Sequence, residues 1–100
     1  MRDKIPQIIE FSGKKCIVRV LGDIEYYSAL KTKMQEELNE FLEATDQRER
    51  LEELADLLEV MYSFAPNKCI EWEETDRVRL KKSDERGAFS NKIMLCEVSD

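Results

Sequence analysis

Glu37 and Glu40, with Glu53 and Asp56, are the residues of this chain best spaced to do chemistry. Each pair sets two carboxylates three residues apart, which on a helix makes them neighbours on one face. Twelve residues, 41 to 52, separate Glu40 from Glu53, enough to finish one helix, turn and start the next. Two antiparallel helices then bring four carboxylates together. Oxygen donors without imidazole or thiolate favour a hard cation, Mg²⁺ or Mn²⁺. Downstream, Lys81, Lys82 and Arg86 form a basic cluster in an acidic protein. Such residues suit the phosphate oxygens that a metal ion leaves uncovered. The same cluster also fits a helix C-terminus, whose dipole favours cations.

Spacing alone leaves open whether the carboxylates are a metal centre or an acidic surface. With 22 acidic residues, the spacing recurs at Glu40/Glu43, Glu49/Glu52 and Glu71/Glu74, and such pairs are usually solvated. Two features set Glu37/Glu40 and Glu53/Asp56 apart. Glu53 falls inside an apolar helical face, where an unpaired carboxylate is costly to desolvate. And an inner carboxylate with a flanking one three residues on occurs twice, on consecutive helices.

The chain contains no histidine. That excludes Ser/His and Cys/His nucleophilic systems, histidine general bases and most catalytic zinc sites. Cys16, Cys69 and Cys96 are odd in number and form no CxxC pair. With no signal peptide and no apolar run near the length of a membrane span, the expectation is free thiols in a reducing cytoplasm. A net charge of −6 argues against a nucleic-acid polymer or an anionic membrane as partner, but not against a phosphorylated ligand carried in with metal ions.

The positioning elements follow from the apolar pattern. One hundred residues make one domain, residues 1–100, and the 38% charged fraction fits exposed helices. Pro6 suits the first turn of a short helix carrying Ile8, Ile9 and Phe11. Residues 16–20 (Cys-Ile-Val-Arg-Val) read as a strand. Asp23 is a candidate N-cap for a helix to about Ala44, with Tyr27, Leu30, Met34, Leu38, Phe41 and Leu42 at helical spacing. Asp46, three residues before Glu49, has the spacing of a capping box. The next helix runs from about Gln47 to Ala65, with Leu51, Leu54, Leu57, Leu58, Met61 and Phe64 on its apolar face. Pro66 stops it. A weaker pattern gives a helix from Lys68 to about Arg86, ended by Gly87. Residues 93–98 read as a second strand. The expected fold is mainly α: antiparallel helices with a small two-stranded β element from the terminal segments. Helices of this charge density often need a partner to cover their apolar faces, so a homodimer or higher homo-oligomer is expected.

The ordered set of segments resembles the MazG-like, all-α nucleoside triphosphate pyrophosphohydrolases, which include phosphoribosyl-ATP pyrophosphohydrolase, and within them a short house-cleaning branch. The matching residues are Arg2-Asp3-Lys4-Ile5-Pro6 with Ile8-Ile9, the segment 16–20, Glu36-Glu37-Leu38-Asn39-Glu40, Glu53-Leu54-Ala55-Asp56 followed by Leu57-Leu58-Glu59-Val60, and Glu85-Arg86-Gly87-Ala88-Phe89. The resemblance covers nearly the whole chain. It implies Mg²⁺-dependent hydrolysis of a nucleoside triphosphate between its α and β phosphates, giving a monophosphate and pyrophosphate. It implies Glu37, Glu40, Glu53 and Asp56 as metal ligands and Glu36 or Glu37 as proton acceptor. Lys81, Lys82 and Arg86 would neutralise the outer phosphates, with Arg2 and Lys4 joining from the N-terminal segment. Tyr26, Tyr27, Trp72 and Phe89 are candidates for stacking on a base, or for packing. Ala88 stands where the family has a second glycine, which weakens any inference of close backbone approach to phosphate there. The alternative is a helical module of the same fold that binds nucleotide or a protein without turnover.

Overall fold

Among the described residues the α-helices are four: α1 (Ile5–Phe11), α2 (Asp23–Glu43), α3 (Gln47–Phe64) and α4 (Trp72–Arg86). The computed structural model describes residues 1–100 apart from the side chain of Asn67.

The helix boundaries have local causes. Pro6 lies in the first turn of α1, where its missing N–H costs nothing. Gly22 caps α2, and Asp23 is its first helical residue, one position later than the capping role expected from sequence. Asp23 and Glu25 then place negative charge in the first turn, where the helix dipole favours it. Asp46 caps α3 as its spacing predicts, its carboxylate accepting the Glu49 N–H at 2.8 Å. The fourth helix starts at Trp72, not Lys68. A 3-10 turn at Ala65–Lys68 intervenes, and Cys69 then adopts the left-handed conformation, φ 58°, which ends helical propagation. Gly87, φ 81°, ends α4, where a side chain would be strained.

The packing is built on an antiparallel hairpin of α2 and α3 joined by residues 44–46. Tyr27, early in α2, meets Phe64, at the end of α3, with ring centres 4.7 Å apart and planes at 66°. Glu37, later in α2, meets Glu53, earlier in α3. The 3-10 turn packs back on α3, and Trp72 stacks on Tyr62 at 4.3 Å. Beyond that contact α4 leaves the hairpin.

The small two-stranded β element expected from sequence is not formed. Among the described residues there is no strand, and Ile17, Val20, Ile93 and Leu95 are exposed. Strand propensity in residues 16–20 and 93–98 is expressed only against a packed neighbour. A lone two-stranded pair is marginal in water, and here it would have to close a long loop first.

One copy of the chain buries little. Ala44 and Ala65 are the buried apolar residues among those described, while Leu42, Leu51 and Leu58 stay exposed. The radius of gyration is 18.6 Å, against about 13 Å for a compact chain of this length.

Candidate metal centre

The hairpin brings three carboxylates together. One oxygen each of Glu37, Glu40 and Glu53 lie within 4.8 Å of one another. Glu37 is buried between the helices, Glu53 half-buried and Glu40 exposed. The grouping depends on the antiparallel register that the short connection at 44–46 imposes.

The charges are unequally balanced. Lys33 Nζ lies 2.9 Å from Glu37 Oε1, one helical turn earlier, and 3.7 Å from Glu36 Oε2. Burial opposes ionisation of Glu37. The Lys33 hydrogen bond and charge outweigh it and hold the pKa below the ordinary carboxylate value. Lys33 is raised in return, first by its bond to Glu37 and then, against its own desolvation, by the charges of Glu37, Glu36 and Glu40. Glu53 moves the other way. Close approach to Glu40, with which it shares a hydrogen bond when protonated, then lost hydration and the nearness of Glu37 push it up to about 7.

These donors suit a hard divalent cation. Glu37 Oε2 and Glu53 Oε2 are shielded from solvent and have no hydrogen-bond partner. A buried, unsatisfied carboxylate oxygen is costly, and a metal ion removes that cost. Opposite ligands on Mg²⁺ lie about 4.2 Å apart, twice the ion–oxygen distance. The three oxygens, all within 4.8 Å of one another, would draw closer around an ion, since adjacent ligands on Mg²⁺ lie about 3 Å apart.

Asp56 sits apart from the other three. Its Oδ1 accepts a hydrogen bond from Arg2 Nη2 at 2.5 Å, which ties the N-terminal segment to α3. Arg2 is thus placed at the edge of the carboxylate group. The other cationic residues expected at the site from sequence, Lys4, Lys81, Lys82 and Arg86, form no ion pair with these carboxylates among the described residues. Lys4 caps α1, and Lys81 faces Glu85 at 3.9 Å on α4. Lys82 and Arg86 are exposed on α4. Glu36 is exposed and turned to Lys33 rather than into the cluster. Of the aromatic candidates, Tyr27 is packed on Phe64, Trp72 on Tyr62, and Phe89 is fully exposed. Sequence reasoning passed over Lys33. Its signal was the four-residue spacing to Glu37, the ordinary helical ion-pair distance.

The fold and the site together describe a helical hairpin that carries an all-oxygen carboxylate cluster able to hold a cation. Residues 21–78 match the family model of phosphoribosyl-ATP pyrophosphohydrolase, and the chain belongs to that family. The matched span contains all four expected ligands and Lys33, but neither Arg2 and Lys4 nor Lys81, Lys82 and Arg86. An uncharacterized protein of Mycolicibacterium smegmatis is 45% identical over 49 residues, which is 49% of either chain, so the likeness spans about half of that relative. No solved structure matches the chain. Among the described residues no helix is long and apolar enough to cross a membrane.

Proposed function

We propose that the chain is a Mg²⁺-dependent nucleoside triphosphate pyrophosphohydrolase, with Mn²⁺ as a substitute ion. Water adds to phosphorus and the α–β anhydride bond breaks, yielding a monophosphate and pyrophosphate. Non-standard nucleotides are among the candidate substrates. The observation that carries this reading is the Glu37–Glu40–Glu53 oxygen group with its two unpartnered buried oxygens, in a member of the phosphoribosyl-ATP pyrophosphohydrolase family.

When bound, the ion supplies charge stabilisation on the phosphates and activates water for attack. Glu37, Glu40 and Glu53 would hold it, with Asp56, now paired with Arg2, as the fourth ligand. Glu36 or Glu37 would accept the proton of the attacking water; for Glu36 this requires its carboxylate to leave Lys33, toward which it is now turned. Arg2, already at the edge of the group, then turns its guanidinium to a phosphate, where a planar donor pair binds best. Lys4 follows it on the same segment. Lys81, Lys82 and Arg86 meet the outer phosphates when α4 is brought over a carboxylate group.

That requirement, and the exposed leucines of the hairpin, favour a homodimer or higher homo-oligomer acting in the cytoplasm as one domain per chain. The test is to incubate the protein with standard and damaged nucleoside triphosphates and Mg²⁺ and to assay pyrophosphate. Metal-dependent release that Glu53→Gln abolishes is the expected result. Nucleotide binding without release would instead favour a non-catalytic module of the same fold.

A further inference from the structure

An open hollow at the start of α2, of about 380 Å³, carries two ammonium groups with no ion-pair partner among the described residues. Lys31 of α2 and Lys68 of the 3-10 turn both lie against the Tyr27 ring, at 5.5 and 4.1 Å from its centre. Like charges repel, and a ring face offsets only part of that repulsion. Lys33, two residues from Lys31, shows the contrast: it is satisfied by Glu37. Tyr27 is also held by an edge contact with Phe64, and its hydroxyl is shielded from solvent without a partner. Asp23 lines the same hollow, which leaves the two lysines in excess.

The geometry points to a phosphate-binding subsite formed by Lys31, Lys68 and Tyr27, separate from the carboxylate group. Two point-charge donors held side by side against the Tyr27 ring suit a compact dianion. Lys31 precedes Glu37 by six residues, about 9 Å of helix rise, and Tyr27 precedes it by ten, about 15 Å. Helical side chains lean toward the N-terminus, so Lys31 reaches away from the carboxylates. The phosphate bound here is therefore not the one attacked. It belongs to the other end of the substrate or to a second ligand. Only that physiological identity rests on the proposed nucleotide chemistry; the class of ligand rests on the two lysines and the tyrosine.

The experiment is a titration of metal-free, ¹⁵N-labelled protein with inorganic phosphate in chelator, followed by amide NMR. Chloride at matched ionic strength is the control. Saturable shifts are expected at Tyr27, Lys31 and Lys68, with the amides of 37–40 and 53–56 unmoved. Lys31→Gln and Lys68→Gln should each weaken binding about tenfold, the scale of one charge-assisted contact, while the spectra remain those of a folded chain. Shifts that chloride reproduces, that do not saturate, or that neither substitution alters overturn the subsite. Because no metal or turnover is involved, a failure here is distinct from a failure to release pyrophosphate.

Discussion

The Lys33 ammonium and the Glu37 carboxylate, one turn apart on α2, form an ion pair whose acidic half is buried and whose basic half is half-exposed. The pair keeps Glu37 ionised in the absence of a metal ion. Removing Lys33 leaves a buried carboxylate with only protons to neutralise it. Lys33→Met should therefore cost about 1 kcal/mol, the scale of a partly solvated pair, in urea unfolding with chelator present. Saturating Mg²⁺ should restore most of the loss, since the ion takes over the charge. A loss that Mg²⁺ leaves unchanged would mean that the lysine acts through packing alone.

Glu53 gives the metal-free protein an unusual pH profile. Its pKa rises on folding from 4.5 to about 7, so between those values the folded state binds more protons than the unfolded one. Stability then falls as pH rises through this window and is lowest above it. Glu37 has the opposite sign: its lowered pKa contributes stability above the unfolded value that is lost in acid. Without metal, the melting temperature should decline between about pH 5 and 8. Glu53→Gln, which stays neutral, should flatten that decline and melt higher than the parent at the alkaline end. It should also lose most of the gain from Mg²⁺, which for the parent at a hundredfold excess over Kd is about 2.7 kcal/mol. Calorimetry across pH, with and without Mg²⁺, reads both effects.

How far the sequence foretold this site can be argued from the same two residues. The helical pattern singled out Glu53 as the carboxylate inside an apolar face, yet Glu37 is the more deeply buried. A wheel treats a helix alone, whereas burial depends on which flank the partner helix covers. The hairpin and the Asp46 cap were legible because periodicity and capping are local. The segments 16–20 and 93–98 were misread as strands because strand formation depends on a neighbour that propensity does not reveal. The late start of α4 was hidden too, since the left-handed Cys69 carries none of the usual glycine or asparagine marking.

Arg2 and Asp56 compete with the proposed chemistry in a measurable way. While Arg2 holds Asp56, that carboxylate is not free for a cation. Arg2→Ala should tighten Mg²⁺ binding by up to about fivefold, the limit for an exposed pair. It should also raise KM for the nucleotide, because the guanidinium proposed to meet a phosphate is gone. Opposite movements of metal affinity and KM are the signature. If both weaken, Arg2 serves to orient Asp56 as a ligand rather than to mask it.

The Asp46 cap separates the stability of the hairpin from the chemistry of its carboxylates. Its side chain satisfies the Glu49 N–H, otherwise unpaired in the first turn of α3. Asp46→Ala should cost about 1 kcal/mol, and Asp46→Asn much less, because the amide oxygen still accepts. In urea the midpoint should fall with the slope unchanged, provided protomer concentration is held fixed. Glu53 lies seven residues further along α3 and is held in register by the packed helix, not by the cap. Mg²⁺ affinity measured well below the unfolding midpoint should therefore match the parent. A weakened affinity in the alanine variant, restored in the asparagine variant, would instead show that the first turn of α3 sets the position of Glu53.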